Sequence, residues 1–429
     1  PLTALRQFRE LLKTLFAQDD WTAQVRSLER PEVLGAVARV LGVSEFLWQD
    51  FLRLQHETLF PVLASGELEE EPKSRQQLAD LLSEELSACQ SEPERVSCVN
   101  AFKDREMFLA DMRHIIRPGR PFGAFSAELG NVAECVMQRV LEESVDAVSR
   151  KLGTSRPGRA AIAGLGKFGG RELGFASDIE LLCVYDQDRP DGDRPGAPVA
   201  EFYRRVVERI LQAIQSQRAG VFELDLRLRP HGQAGPLACS VEVYRAYYGN
   251  EGAAWPFERQ ALVKLRAVAG DRELGRQLEL ARDDWLYSDG RFDRAAMRAM
   301  RDRQVRQLVK AGTYNAKLSP GALVDCEYLV QGLQLEHGHR DTAVRATNTL
   351  EALDGLGTLG VLDQQTVDGV REAYKFHRRL IDSLRVVRGD ARDLTVPARH
   401  SAEFRYLARR LDSKQGVVGL AHEIDRHSV

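Results

Sequence analysis

The sequence predicts an α+β protein that is mostly helical, with one small sheet domain set between two helical domains. Apolar residues recur at three- and four-residue spacing through about the first 150 residues and again from about residue 271 to the end. Short runs typical of strands occur only between these two regions. A chain of 429 residues is also long for one compact core. We therefore expect domains at 1–155, 156–270 and 271–429.

Nine segments outside the central region carry the helical pattern. They are 2–16, 31–48, 77–89, 131–152, 272–287, 293–310, 322–336, 361–386 and 402–411. Charged and turn-forming stretches such as 66–75 and 117–123 separate the N-terminal segments. We expect the N-terminal helices to pack together as a bundle.

The central region has the pattern of three strands and one helix. Residues 160–166 form a short apolar run that ends in glycines, and 178–186 form a second apolar run. A loop rich in Pro, Asp and Gly at 186–198 precedes a helix predicted at about 199–217. The stretch 220–230 alternates strictly between apolar and charged residues, which predicts a third strand.

Composition and charge narrow the class of protein. Hydrophobic residues make up 43% of the chain and charged residues 29%, as in ordinary globular proteins. The net charge of -3 provides no overall field that would attract nucleic acid or an anionic membrane. The sequence has no apolar run long enough to span a bilayer and no signal-peptide pattern. We therefore expect neither a nucleic-acid nor a membrane partner.

The six cysteines are scattered without a C-x-x-C pair, and most lie in apolar periodic segments. This distribution favours reduced, buried thiols over a disulfide framework or a zinc site. We therefore expect a cytoplasmic protein. Because the chain begins with Pro1 rather than Met, we also expect it to be part of a longer protein.

Two carboxylates lie at the start of the second predicted strand. Side chains alternate across a strand, so Asp178 and Glu180 share one face, with Cα atoms roughly 7 Å apart. Like charges at that separation repel unless a cation lies between them, and magnesium prefers carboxylate oxygen. A polar strand end in contact with solvent is the simpler alternative for this pair alone.

The third predicted strand adds four charges on one face. Glu223, Asp225, Arg227 and Arg229 alternate with leucines, so the charged side chains point one way. An amphipathic edge strand with cross-strand ion pairs would have the same pattern. These four charges, however, are predicted to lie beside the carboxylate pair of the second strand. Together the two strands would supply the acids and arginines that a metal–triphosphate site requires, with acids for the metal and arginines for the phosphate oxygens.

A glycine-rich run joins the first two predicted strands. Gly164, Gly166 and Gly169 satisfy the G-x-G-x-x-G pattern, which makes a dinucleotide-dependent enzyme the obvious alternative. A parallel crossover needs about ten or more residues of helix. Only eight residues separate Gly169 from Asp178. The spacing therefore disfavours the dinucleotide fold.

Five motifs in a fixed order carry a resemblance to a known family. They are FKDREMFLADMRHI (102–115), GLGKFGGRELGFASDIELL (164–182), ELDLRLRPHGQAGPLACS (223–240), FERQALVKLRAVAGD (257–271) and NAKLSPGALVDCEYLVQ (315–331). Together they span about 230 residues. The set resembles the glutamine synthetase adenylyltransferase/deadenylylase family, whose catalytic halves are DNA-polymerase-β-like nucleotidyltransferases. The resemblance implies a sheet domain of that type between the helical domains.

The resemblance also implies roles for individual residues. Asp178, Glu180 and Asp225 match the catalytic, metal-binding acids, which implies Mg²⁺, with two ions expected. The implied nucleotide- and phosphate-binding residues are Lys167, Gly169, Gly170, Ser177, Arg227 and Arg229. The secondary candidates are Lys264, in the family's A-L-V-K-x-R element, and Lys317 and Glu327, for which the resemblance implies an interdomain or nucleotide-facing role. Solvated helix ends are the alternative for the last two.

The family's chemistry is the transfer of AMP. In one direction a tyrosine of glutamine synthetase attacks ATP and pyrophosphate leaves. In the other, phosphate attacks the AMP–tyrosine ester and ADP forms. The resemblance implies glutamine synthetase as the protein substrate and a PII signalling protein and glutamine as regulators. The sequence leaves the direction of the reaction undecided.

Three features depart from the family pattern. Glu180 stands where the best-known members carry Asp, and Ala322 replaces a glycine. The chain also has about half the family's usual length and one of its two catalytic halves. A degenerate domain that binds nucleotide and regulates a second catalytic half is therefore a further alternative.

Overall fold

The structure is a computed structural model that describes most of the chain. It covers residues 2–16, 34, 70–117, 119–154, 156–186, 199–216, 222–249, 251–288, 292–388 and 392–428. The helix predicted at 31–48, apart from residue 34, and the loop predicted after Asp186 lie outside these residues. The α+β prediction is confirmed, because the described chain is mostly helical around one five-stranded sheet.

Four helices in the described residues precede the sheet. They are α1 (Leu2–Phe16), α2 (Arg75–Ser87), α3 (Glu92–Ile116) and α4 (Ala124–Leu152). Ser74 and Ser91 begin α2 and α3 because each hydroxyl accepts a hydrogen bond from a backbone N–H in the first turn. Gly153 ends α4 in the left-handed conformation, with φ 62.

Most helices of this region were predicted from the helical spacing of apolar residues. The predictions at 2–16 and 77–89 correspond to α1 and α2. Helix α4 begins earlier than the predicted 131–152. Helix α3 was not among the predicted helices, although the motif at 102–115 lies within it.

The central region forms a mixed sheet with short helices between its strands. In chain order the elements are β1 (Ala160–Gly164), α5 (Gly166–Gly169), β2 (Ile179–Tyr185), α6 (Val199–Ala213), β3 (Leu224–Asp225), β4 (Ala238–Ser240), α7 (Val241–Tyr248), α8 (Pro256–Ala261) and β5 (Arg266–Gly270). The order across the sheet is β3-β2-β1-β5, and β4 also pairs with β2. β1 is antiparallel to β2 and β5, whereas β2 is parallel to β3 and β4.

The two faces of the sheet belong to different hydrophobic cores. Ile162 and Leu181 point toward the core that includes α3, α4 and α6. Ala163, Leu182 and Val184 point toward the core that includes α7 and α9 (Arg272–Tyr287). Both faces are therefore covered, which explains why β1 and β2 are apolar on both sides.

The third strand was predicted at 220–230, of which residues 220 and 221 lie outside the described residues, and within 222–230 it is much shorter than predicted. Only Leu224–Asp225 pairs with β2. Beyond it, the backbone N–H of Arg227 donates to Asp225 Oδ1, and the Arg229 guanidinium donates to the carbonyls of Leu226, Gln233 and Gly235. The alternation of charged and apolar residues therefore continues into a loop that Arg229 holds together.

The pairing of β1 with β2 removes the basis for a dinucleotide fold. Such a fold joins neighbouring parallel strands through a full crossover helix. Here the two strands are antiparallel, and the described residues between them contain only the four-residue α5. The alternative is therefore wrong for this glycine-rich run.

The C-terminal region is mostly helical in its described residues, with one isolated β-bridge there between Asn315 and Thr395. After α9 it contains α10 (Arg294–Leu308), α11 (Leu323–His337), α12 (Thr349–Thr358), α13 (Gln364–Arg388), α14 (Ala402–Arg410) and α15 (Gly416–His427). The helix predicted at 272–287 is present with the same ends, and the other four predicted helices are present with ends shifted by up to three residues. Helices α12 and α15 were not predicted. Across the described ranges, no helix has the length and apolar character needed to cross a membrane. The domain boundaries stay predictions.

We expect Gly169→Ala to destabilise the protein by about 2 kcal/mol or more, because the close neighbours are backbone atoms that must shift. A Cβ at this buried position would lie 1.9 Å from the Lys264 carbonyl oxygen and 2.5 Å from that of Gly164. Urea unfolding measures the change.

Gly130→Ala on α4 is the matched control for that substitution. Its Cβ would meet no described atom within 4 Å, and alanine favours the helix by about 0.5–1 kcal/mol. Equal unfolding midpoints for the two variants would contradict the packing role of Gly169.

Candidate functional site

Three carboxylates meet where β2 pairs with β3. Glu180 is the direct partner of Asp225 across the two parallel strands, and Asp178 immediately precedes β2. One carboxylate oxygen from each of the three residues lies within 4.8 Å of the others. All three are partly exposed. Hard cations prefer such oxygen ligands, so the donor set fits magnesium.

The close approach of these acids affects their protonation. Burial raises the pKa of Glu180, and the negative charges of Asp178 and Asp225 raise it further against the opposing effect of Lys317. Burial also acts to raise the pKa of Asp225, but hydrogen bonds from Arg227 lower it below its usual value. The cluster therefore contains one carboxylate that resists ionisation and one that favours it.

Gly166 is necessary for the position of Glu180. A Cβ on this residue would lie 1.4 Å from Glu180 Oε2, and the backbone has φ +50. The carboxylate therefore occupies the space where a side chain would stand. Gly166 belongs to the G-x-G-x-x-G pattern but was not among the predicted site residues. The signal for this role in the sequence was its position in the G-x-G-x-x-G pattern.

The carboxylates open into a cleft of about 1080 Å³. Its walls include most of the predicted site residues: Lys167, Asp178, Glu180, Asp225, Arg227, Arg229, Lys264, Lys317 and Glu327. Lys317 comes from the segment before α11, so the C-terminal helical region contributes to the same cavity as the sheet. Basic side chains thus share one cleft with the three acids, as phosphate binding requires.

Lys167 stands beside other cations in this cleft. Burial lowers its pKa well below the usual value, and the charges of Arg385 and Lys317 lower it further. Crowding of this kind makes an anion favourable near Lys167. Arg385, on α13, lines the cleft but was not predicted, because helical periodicity identifies it only as a core position.

The structure places Gly169, Gly170 and Ser177 away from the cleft wall. Ser177 Oγ accepts a hydrogen bond from the backbone N–H of Gly174 at 3.0 Å, and the Gly170 carbonyl accepts one from Asn348 Nδ2 at 3.0 Å. The Gly169 carbonyl accepts from Arg266 Nε. The observed contacts of this turn are with protein groups, and its phosphate-binding role stays a prediction.

The two predicted phosphate-binding arginines have different surroundings. The Arg227 side chain is 68% exposed and pairs with Asp225. Arg229 is half-buried and donates only to loop carbonyls among its described hydrogen bonds. Arg227 is therefore the more available of the two for a ligand in the cleft.

A buried ion pair joins the sheet to the C-terminal helices. Lys264 Nζ bonds the Glu172 carboxylate and Thr349 Oγ1, and Glu327 Oε1 lies 3.8 Å from the same nitrogen. Burial acts to raise the pKa of Glu172, but Lys264 and Arg378 lower it below the usual value. Lys264 and Glu327 thus have interdomain contacts. Glu172 was not predicted as part of this contact, because its role follows from its partners Lys264 and Thr349, which are distant in sequence.

The fold and the cleft define a helix-rich α+β protein with a three-carboxylate site beside basic side chains. Residues 34–281 match the family model described as Glutamate-ammonia ligase adenylyltransferase. Residues 295–428 match the one described as GlnD PII-uridylyltransferase. Since the first match covers more than half of the chain, the chain belongs to the glutamate–ammonia ligase adenylyltransferase family. The family predicted from the motifs is confirmed.

Three similar proteins are each named bifunctional glutamine synthetase adenylyltransferase/adenylyl-removing enzyme. The one from Aromatoleum aromaticum is 35% identical over 58% of this chain and 27% of its own length. The one from Hahella chejuensis is 31% identical over 80% of this chain and 36% of its own length. The one from Brucella suis is 28% identical over 91% of this chain and 40% of its own length. The chain therefore spans less than half the length of these relatives.

We expect Lys264→Met to destabilise the protein by about 3–5 kcal/mol, because it leaves Glu172 buried without its cation. The double variant Glu172→Gln/Lys264→Met removes both charges, and we expect it to recover part of that loss. Chemical unfolding at neutral pH measures both changes.

Lys310→Met, at an exposed position after α10, is the matched control and should leave stability within about 0.5 kcal/mol. Because the pKa of Glu172 is lowered in the folded state, the contribution of this pair is present above about pH 4.3 and is lost on acidification. A Lys264→Met variant as stable as Lys310→Met would contradict the account.

Proposed function

We propose that this chain is a magnesium-dependent nucleotidyltransferase that moves an AMP group to or from a tyrosine of glutamine synthetase. The observation that carries the proposal is the cluster of Asp178, Glu180 and Asp225, whose carboxylate oxygens lie within 4.8 Å of one another. The family membership and the names of the relatives support the choice of an adenylyl group and of glutamine synthetase.

The three acids are the residues that would hold magnesium, and the proposal includes two magnesium ions. Bound in this position, magnesium would neutralise charge on the phosphate oxygens and lower the pKa of an attacking hydroxyl. Asp225 is the acid best suited to remain ionised, because hydrogen bonds from Arg227 lower its pKa. It is also our candidate to accept the proton of the nucleophile.

The basic residues of the cleft bind and orient the phosphates in this proposal. Lys167, Arg227 and Lys317 project from three separate segments into one cavity, and they can surround a triphosphate or a phosphate ion. Adenylylation forms the bond from the tyrosine oxygen to the α-phosphorus and releases pyrophosphate. Deadenylylation forms the bond from a phosphate oxygen to that phosphorus and releases the tyrosine, with ADP as product.

The proposal includes a regulatory partner and a cellular location. The C-terminal helices match a family whose name contains PII, which supports a PII signalling protein as a partner. The six cysteines are free thiols, which supports a cytoplasmic location. The alternative of a degenerate, nucleotide-binding regulatory domain predicts magnesium-dependent ATP binding without turnover.

We expect Asp178→Asn to reduce turnover roughly a hundredfold or more, because losing a metal-binding charge costs several kcal/mol of transition-state stabilisation. The fold should be retained, since the substitution removes charge and little volume. Steady-state rates and circular dichroism measure the two properties.

Asp146→Asn, at an exposed position on α4, is the matched control and should keep the wild-type rate. A folded Asp178→Asn variant with more than about a tenth of wild-type activity would contradict the metal assignment.

The direction of the reaction is tested with both forms of the protein substrate. Unmodified glutamine synthetase is incubated with ATP and magnesium, and adenylylated glutamine synthetase with phosphate and magnesium. Intact-mass spectrometry should show AMP gained in the first mixture or lost in the second. No mass change in either, with ATP still bound, would overturn the enzyme proposal in favour of the degenerate one.

A further inference from the structure

A second large cleft lies between the N-terminal helices and the C-terminal helices. It has a volume of about 870 Å³, enough for a ligand of nucleotide size. Three separate stretches line it: the turn after α3, the middle of α13, and the segment from the end of α14 into α15. None of its wall residues belongs to the wall of the three-carboxylate cleft.

Positive charge predominates in the second cleft. Six arginine and lysine side chains line it, against the three acids Asp382, Asp412 and Glu423. The basic residues are Arg117, Arg120, Arg378, Arg379, Arg410 and Lys414. The chain as a whole has a net charge of -3, so this excess is local. A concave surface with such an excess concentrates anions.

Four of these cations have no carboxylate partner among the described residues. Arg120 pairs with Glu128, and Arg378 bonds the Tyr374 hydroxyl and the Glu172 carbonyl. By contrast, Arg117, Arg379, Arg410 and Lys414 form no ion pair within the described part of the chain. Their charges are available to a ligand.

Arg410 lies deepest among the unpaired cations. Its guanidinium donates to the carbonyls of Ile115 and His114, at 2.9 and 3.3 Å, at the end of α3. Burial lowers its pKa to about 10, and Asp382 only partly offsets this effect. Nη1 of Arg120, in the same wall, is buried and has no hydrogen-bond partner among the residues that the structure describes. Guanidinium groups held in this way are stabilised by an anion.

The neighbouring aromatic ring and His114 do not change the charge of the second cleft. His114 stacks on Phe125 with ring centroids 4.1 Å apart, and burial lowers its pKa to about 4. It is therefore neutral at pH 7 and adds neither positive nor negative charge. The charge of the site comes from the arginines and from Lys414.

We propose that this second cleft binds a small molecule that carries phosphate groups, at a site separate from the three carboxylates. Guanidinium groups that converge from three segments match the several oxygens of a phosphate better than the two of a single carboxylate. The proposal does not depend on the proposed catalytic function, because it rests only on the residues of this cleft.

Helix α13 connects the two clefts. Arg379 and Asp382 face the second cleft, whereas Arg385, one turn further along, lines the first. A phosphate compound bound at Arg379 therefore lies on the same helix as a residue beside Lys167. This arrangement gives a bound ligand a direct structural connection to the first cleft.

The test measures pyrophosphate binding by calorimetry with protein and buffer from which divalent metal has been removed by a chelating resin. Because Lys167 and Lys317 of the first cleft also attract anions, the comparison of variants assigns the binding to the second cleft. We expect wild-type protein to bind pyrophosphate, and Arg117→Gln/Arg379→Gln to bind it at least about tenfold more weakly, because charge-assisted hydrogen bonds are lost.

The matched control is Arg298→Gln/Arg303→Gln, which removes the same charge from exposed positions on α10. Its affinity should stay within about twofold of wild type, since a distant exposed charge is screened by salt. Circular dichroism checks that both double variants are folded. Neither substituted arginine of the first variant has an ion pair with another described residue, so folding should be retained.

Three results would overturn the proposal. They are no pyrophosphate binding by wild-type protein, equal affinities in the two double variants, and malonate binding as tightly as pyrophosphate. The last result would indicate a dicarboxylate site instead. Because the assay uses no magnesium and no glutamine synthetase, its failure is distinguishable from failure of the catalytic proposal.

Discussion

The parallel pairing of Glu180 with Asp225 is the constraint on which the candidate active site depends. It brings acids from two distant stretches of sequence to one strand end, with Asp178 one residue before β2. Such a cluster is unfavourable by itself, because burial and then the like charges of Asp178 and Asp225 raise the pKa of Glu180. We propose that a cation completes the site, because it would relieve this repulsion.

The surrounding structure serves to hold that strand end in place. Gly166 leaves room for the Glu180 carboxylate, and Arg229 fixes the loop that follows Asp225. The buried Glu172–Lys264 pair attaches the same region to the C-terminal helices. As a result the cleft has walls from both the sheet and the helices, and Lys317 faces the acids from the helical side. The helix α13 then separates this cleft from the basic cleft on its other side.

Local pattern predicted much of the fold and the acids of the site. Alternation along 178–186 correctly placed Asp178 and Glu180 on one face, and helical spacing located most of the long helices. The third strand was predicted too long because Arg227 and Arg229 alternate with leucines while they bond a loop. Contacts over long sequence separation could not be predicted, since no local pattern identifies the partner of a buried charge such as Glu172.

The most direct test of the central claim is anomalous diffraction from crystals that contain Mn²⁺ in place of magnesium and a non-hydrolysable ATP analogue. The account predicts manganese peaks bound by oxygens of Asp178, Glu180 and Asp225, and two such peaks should lie about 3.5–4 Å apart. The triphosphate should extend toward Lys167 and Lys317. Bound nucleotide with no manganese among the three carboxylates would contradict the account.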